Sequence, residues 1–255
     1  MTLAPTQIPI VLTATVVPNA VGGPAADPAQ RRAEYLAAVA FYRQFAPVFF
    51  LENSTHALES DPAFQPADGF HVCHFPPSAH PERGKGFQEF EMLDAWVAGE
   101  NQLPACWLKI TGRYQIHNVA ALLAECARRP PGSRLLMDQL GRIQSARTYL
   151  FFIETGYYRE RFAGLHRQCD DRSGEWIERV LFRALREDPA RAFTSFATQP
   201  QISAVAGSSG YRMRPGGVAH LVKTCLRRAN RAFDRRYLWY QRTGRTSGSG
   251  RDSTS

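Results

Sequence analysis

The chain has 255 residues, of which 44% are hydrophobic and 21% charged, and a formal net charge of +8. That length can bury a sizeable core in one α/β unit, and the composition excludes disordered and fibrous classes. No apolar run approaches the roughly 18–20 residues of a membrane span, and five scattered cysteines without a C-x-x-C pair argue against a disulfide framework or a structural zinc site.

Residues 8–17 are apolar and rich in β-branched side chains, carry Pro9, and have no basic residue before them. They fit a buried first strand rather than a signal peptide, so a cytoplasmic protein is expected. The turn Pro18-Asn19 and a Gly/Pro/Ala-rich loop follow. Tyr35, Leu36, Val39 and Tyr42 recur at helical spacing and predict a helix over 31–45. A short strand over 48–51 then ends in Glu52-Asn53-Ser54. Strand, helix, strand opens a parallel, doubly wound sheet, whose ligands bind beyond the carboxyl ends of strands. Thr13, Thr15, Asn19, Glu52 and Asn53 are therefore expected to face the site and to hydrogen bond a nucleotide.

Residues 55–82 read as a loop rich in Pro, His and Phe. His71 and His74 within it match no common metal-ligand spacing. Gly84-Lys85-Gly86 precedes a helix over 87–98. Its two glycines would let backbone approach an anion, and a helix N-terminus beside Lys85 favours negative charge; a plain turn with a solvated lysine is the alternative. A strand over 106–110 (CWLKI) runs into the polar turn Thr111-Gly112-Arg113, residues 114–118, and a helix over 119–128. Further strands are expected over 133–139 and 148–154, and a one-sided helix over 176–186. Residues 204–217 are Gly/Ser-rich and suit a mobile loop over the site, with Ser208 and Ser209 able to donate to phosphate. Residues 1–217 would form the catalytic domain, 218–242 a basic amphipathic helix packed on it, and 243–255 a disordered tail.

The first strand is followed by no G-x-G-x-x-G, and the chain has no P-loop, G-x-S-x-G or H-E-x-x-H. These absences weaken dehydrogenase, kinase, hydrolase and metalloprotease readings. A basic chain attracts phosphate-bearing partners: nucleic acid, anionic membrane or nucleotide-activated substrates.

The layout around CWLKITGRY resembles nucleotide-sugar glycosyltransferases of the GT-A type, in which an apolar strand with a lysine runs into a D-x-D turn, then a short hydrophobic stretch, Asn and a helix. Thr111-Gly112-Arg113 stands where the two metal-binding aspartates would be. Thr and Gly cannot hold Mn²⁺ or Mg²⁺, and Arg113 would repel it. The resemblance thus implies that Lys109, Thr111 and Arg113 meet the diphosphate directly, with Lys85 and without a metal or other cofactor. Further segments resemble an uncharacterised group of bacterial proteins found with surface-polysaccharide genes. They are TAT-x-x-PN (13–19), EYLAA (34–38), ENS (52–54), GKG-x-x-E (84–89), KITGRY (109–114), SGEWIERVLFRAL (173–185) and ISAVAGSSGY (202–211). This likeness implies a sugar transferase of lipopolysaccharide or capsule assembly, with a nucleotide-sugar donor and a glycan or lipid-linked acceptor.

An inverting transferase also needs a carboxylate to take the acceptor proton. In GT-A enzymes it commonly lies late in the domain, near a helix start, where Asp170, Asp171, Glu175 and Glu178 cluster. Glu178 is the first choice, then Glu175, then Asp171; on a helix beginning near Gly174, Glu175 and Glu178 would share one face. Asp138 is a second candidate at a strand end. Each of these acids has a plain alternative as a helix cap or an arginine's partner.

A nucleic-acid-binding protein is the main rival, because Arg227–Arg242 interleaves arginines with Tyr and Trp. No recognisable nucleic-acid motif accompanies it, so no nucleic acid is expected. The same helix suits attachment to an anionic membrane surface, which would place the protein peripherally at the inner face of the inner membrane. A nucleotidyltransferase would share the scaffold but usually needs acidic metal ligands, and a noncatalytic scaffold would keep the fold.

Overall fold

A computed structural model describes residues 4–19, 27–99, 103–188, 192–205 and 212–213. The serines Ser208 and Ser209, the basic helix expected over 218–242 and the tail over 243–255 lie outside the described residues.

The first strand β1 (Ile10–Ala14) leads through helix α1 (Pro28–Tyr42) to β2 (Val48–Glu52). Asp27 caps α1, accepting from the Ala29 N–H, and Pro28 follows it at the first helical position. Then come β3 (Phe70–His74), α2 (Lys85–Gly99), β4 (Cys106–Thr111), the short β5 (Gln115–Ile116) and α3 (Val119–Ala127). The chain continues through β6 (Leu135–Leu140), β7 (Ser145–Glu154), α4 (Thr155–Arg161) and α5 (Ile177–Arg186) to β8 (Phe193–Thr194), β9 (Ile202–Val205) and β10 (Arg212–Met213).

Seven strands form one sheet in the order β3-β2-β1-β4-β7-β6-β8, and β10-β9-β5 form a small second sheet. Pairing is parallel throughout β3-β2-β1-β4 and again between β6 and β8; β7 runs antiparallel to both of its neighbours. The result is a mostly parallel, helix-flanked sheet of GT-A-like, Rossmann-like type. The sheet is mostly parallel, as expected, and β7 is its antiparallel member. Only a short turn (Gly141–Ile143, then Gln144 at φ 49°) joins it to β6, and a parallel crossover needs a dozen or more residues.

Both faces of the sheet are covered, so the central strands are apolar on both sides. Ile10, Leu12, Phe50, Leu108 and Ile110 pack in one core with Tyr35, Val39, Leu122 and Leu123 of α1 and α3. Val11, Leu51, Trp107 and Phe151 pack in the other with Phe90, Leu93, Trp96 and Leu181 of α2 and α5. Residues 70–74, expected to lie in a loop, are the edge strand β3. Only Phe70 of that strand is fully buried, so it has little apolar alternation to reveal it. His71 stacks on Phe49 and His74 faces Glu59 at 2.7 Å, which leaves the two histidines to different partners.

Connections from β1 pass through α1 to β2 on one side, while α2 returns the chain from the edge strand β3 to β4 on the other. The order therefore reverses between β1 and β4, and their carboxyl ends, Thr13 to Thr15 and Thr111 to Arg113, flank the crevice this reversal opens.

Candidate active site

A cleft of about 630 Å³ lies at that crevice, within the range of small-molecule sites. Its walls come from β1 and the residues after it (Thr13, Thr15, Pro18, Asn19), the turn after β4 (Thr111, Arg113, Tyr114) and the first turns of α2 (Lys85 to Glu89). The start of β7 (Ser145, Arg147, Thr148) and the approach to α5 (Asp171, Trp176 to Glu178) complete them.

The backbone of the turn after β4 lies directly on β1. Gly112 N–H donates to the Thr13 carbonyl at 2.9 Å, and a Cβ on Gly112 would stand 2.6 Å from that oxygen and 3.0 Å from the Tyr35 ring. Only glycine fits, and this contact sets Arg113 at the mouth of the cleft. Arg113 Nη1 donates to Glu34 Oε2 at 2.9 Å, with both side chains still partly open.

Arg31 of α1 is the second cation. It is 8% exposed, and its Nη1 donates to the Thr15 carbonyl at 2.6 Å. Its Nε, fully buried, meets no hydrogen-bond partner. Desolvation, with Arg113 nearby, lowers its pKa below the usual arginine value. Burial also lowers Lys85, with Arg31 and Arg113 adding to the effect. Three cations thus crowd together in the cleft, an arrangement that an anionic ligand would relieve.

Carboxylates line the same cleft. Glu178 accepts from Thr148 Oγ1 at 3.2 Å. Desolvation raises its pKa above the ordinary carboxylate value, and Glu89 and Asp171 push in the same direction. Partial desolvation raises Asp171 too, with Asp170 adding to it. Glu89 of α2 accepts from the Thr13 hydroxyl and from Lys109 Nζ, the latter at 2.6 Å.

Of the positions expected from sequence, Thr13, Thr15, Asn19, Lys85, Thr111, Arg113, Asp171 and Glu178 line the one cleft. Four others do not. Lys109 is fully buried, on the same strand face as Trp107 and beneath α2. Besides Glu89 it donates to the Thr148 carbonyl at 2.8 Å and Thr111 Oγ1 at 3.2 Å, so its charge acts inside the protein. Glu52 is buried as well: Val16 N–H and Ser54 N–H donate to its two oxygens at 2.9 and 2.8 Å. Asn53 accepts from Thr15 Oγ1 at 2.7 Å and donates to the Gln88 carbonyl at 3.2 Å. Glu52 and Asn53 therefore fix the segment after β1. Glu175 precedes α5, which begins at Ile177, so it shares no helical face with Glu178; it bridges to Asp170 through backbone and pairs with Arg183. Asp138 sits at an irregularity in the β6–β7 pairing, outside the cleft lining.

The glycines before α2 have a different use from the one expected. A Cβ on Gly84 (φ 101°) would overlap the Asp171 carboxylate, and one on Gly86 would come within 2.4 Å of Ile177 Cγ2. Asp171 accepts from the Lys85 backbone N–H, so the protein's own carboxylate already meets the start of α2. Arg31, Glu89, Arg147 and Trp176 are among the cleft residues that sequence reasoning did not select. A signal for Glu89 existed: a lysine in the apolar strand CWLKI needs a counter-ion, and the preceding helix is the nearest element able to supply one.

Among the described residues no group of three His, Cys, Asp or Glu side chains is placed to hold a metal ion, and no helix is long and apolar enough to cross a membrane. No protein-family profile and no curated protein sequence matches the chain. Solved structures similar to it include mouse xyloside xylosyltransferase 1 in its apo form, at 8% identity and TM-score 0.45, covering 74% of this chain and 84% of that one. A Bacillus anthracis protein described as a glucose-1-phosphate thymidylyltransferase, in complex with sucrose, is 12% identical at TM-score 0.43, covering 87% and 95%. HddC from Yersinia pseudotuberculosis is 9% identical at TM-score 0.42, covering 86% and 98%. The fold type stated above rests on strand order and direction, not on these scores.

Proposed function

We propose that the protein is a glycosyltransferase that takes a sugar from a nucleotide-sugar donor. The observation that carries this reading is the convergence of the cations Arg31, Arg113 and Lys85 and the carboxylates Glu178 and Asp171 on one cleft at the β1–β4 crevice. Such a lining offers cations to a charged diphosphate and carboxylates to a hydroxyl-rich sugar or acceptor.

In the proposed reaction an acceptor hydroxyl oxygen attacks the anomeric carbon while the bond from that carbon to the diphosphate oxygen breaks. The bonding pair leaves with the nucleoside diphosphate, and the hydroxyl proton passes to Glu178. Arg113, Arg31 and Lys85 offset the charge on the departing diphosphate, as fixed donors do for developing anions. Glu178 suits the proton: its raised pKa makes it a better base than a solvated carboxylate. The finer reading, an enzyme of bacterial surface-polysaccharide assembly acting on a glycan or lipid-linked acceptor at a membrane face, is supported by the sequence segments quoted above.

A thermal-shift screen against nucleotides and nucleotide sugars, with and without EDTA, tests the proposal. The expected result is stabilisation by a nucleotide sugar and its nucleoside diphosphate that persists in EDTA. Stabilisation that disappears with EDTA overturns the metal-free part. No shift with any nucleotide or nucleotide sugar overturns the whole.

A further inference from the structure

Resting on that reading of the cleft, we propose that Trp176 is the platform for the acceptor, and that the acceptor group placed there is a hexopyranose ring lying against the indole. Among the described residues only two large apolar side chains stay mostly open, Ile143 at 58% exposure and Trp176 at 47%. A lone exposed apolar side chain is ordinary on a protein surface, but an aromatic one in a cleft is placed to pack a ligand. Trp176 is the one that lines the cleft, two residues before Glu178.

Its position is held firmly while about half of its surface stays open, 47%. The Trp176 carbonyl accepts from Arg179 N–H at 2.9 Å and Val180 N–H at 3.1 Å, opening α5. The next residue, Ile177, is seated in the notch left by Gly86, where no Cβ would fit. The Arg179 guanidinium lies 4.6 Å from the indole centroid and holds the ring by a cation–π contact. The apolar C–H face of a pyranose packs on such a ring. The acceptor is the fitting occupant, because it has to bring a hydroxyl to Glu178, two residues further on.

The test uses the full chain and its intrinsic tryptophan fluorescence, with Trp176→Phe and Trp176→Ala as variants. The probes are methyl hexopyranosides of gluco, galacto, manno and rhamno configuration, added in the presence of the nucleoside diphosphate that stabilises the protein. Trp96 and Trp107 are almost fully buried, and the fourth tryptophan, Trp239, is replaced by phenylalanine in all three proteins, so Trp176 should dominate the ligand-dependent difference signal. At least one glycoside should change the wild-type emission, and Trp176→Phe should lose that change. Trp176→Ala should bind the same glycoside about tenfold more weakly by competition or calorimetry. Nucleotide stabilisation should be the same in all three proteins.

An emission change that survives in Trp176→Phe overturns the inference, as does unaltered glycoside affinity in Trp176→Ala. So does a wild type that binds nucleotide but none of the glycosides, or one whose Trp176 signal responds to free nucleoside instead. Loss of nucleotide stabilisation in the wild type itself would be a failure of the transferase reading and is read separately.

Discussion

Replacing Lys109 by methionine removes a completely buried charge from the centre of the sheet, and the structure sets the size of the effect. Its ammonium meets Glu89 at 2.6 Å, the Thr148 carbonyl at 2.8 Å and Thr111 Oγ1 at 3.2 Å. Breaking a buried pair by removing one partner costs about 3–5 kcal/mol. The Glu89 side chain is 21% exposed, however, so water can reach the carboxylate left behind. The expected loss is therefore nearer about 2–3 kcal/mol. In a chain of this size that lowers the melting temperature by roughly 4–12 °C. Urea unfolding followed by circular dichroism measures it, with an unchanged m-value as the check on mechanism. The double variant Lys109→Met/Glu89→Gln should recover about 1–2 kcal/mol relative to additive losses, because no carboxylate is then left without its partner. Strict additivity, or a loss below about 0.5 kcal/mol for Lys109→Met, refutes the claim that this pair holds α2 against β4.

Glu178→Gln should be inactive in transfer yet more stable than the wild type at neutral pH. Its pKa is raised in the folded state, so the folded protein binds this proton more tightly than the unfolded chain. Ionising it therefore costs stability as pH rises above the ordinary glutamate value, and the glutamine removes that cost; equal or lower stability at neutral pH contradicts this. The acid limb of the wild-type rate should correspondingly lie above about pH 4.3, the unperturbed glutamate value, as a pH–kcat profile would show. Asp61 has the opposite sign. Arg32, in two contacts of 2.6 Å, and His56 at 2.9 Å hold its carboxyl well below the usual range. Its stabilisation is present above about pH 4 and is lost as pH falls below that value. Asp61→Asn should flatten the acid side of the stability curve. Gly112→Ala should destabilise by about 1–3 kcal/mol, because its Cβ would meet the Thr13 carbonyl; thermal unfolding reads this directly.

The elements legible in the sequence were those with a clean period. The runs at 8–17, 48–51 and 106–110 gave β1, β2 and β4, and helical spacing gave α1, α2 and α5 within a few residues. The edge strand β3 escaped because an edge buries one residue and leaves the rest polar, which looks like a loop. Strand direction at β7 was legible only through the length of its connection to β6. For the site, the rule that ligands gather at strand carboxyl ends brought Thr13, Thr15, Thr111 and Arg113 into one cleft. That rule says nothing about which way a side chain points. Lys109 follows the period-2 alternation of its strand and goes under α2, while Glu52 and Asn53 turn inward to bind the segment after β1. Glu89 and Trp176 reach the cleft only through tertiary packing of α2 and α5, which no local pattern displays.

The most direct measurement of the central claim is a calorimetric titration of a nucleotide sugar, and of its nucleoside diphosphate, into the wild type and Arg113→Ala. Among the described residues Arg113 makes a single ion pair, to the partly exposed Glu34, so the variant should keep the fold. The account predicts saturable binding to the wild type, with affinity falling at least about tenfold in Arg113→Ala, a change of roughly 1.4 kcal/mol. Binding of equal strength to both proteins would place the diphosphate somewhere other than this cleft and contradict the account.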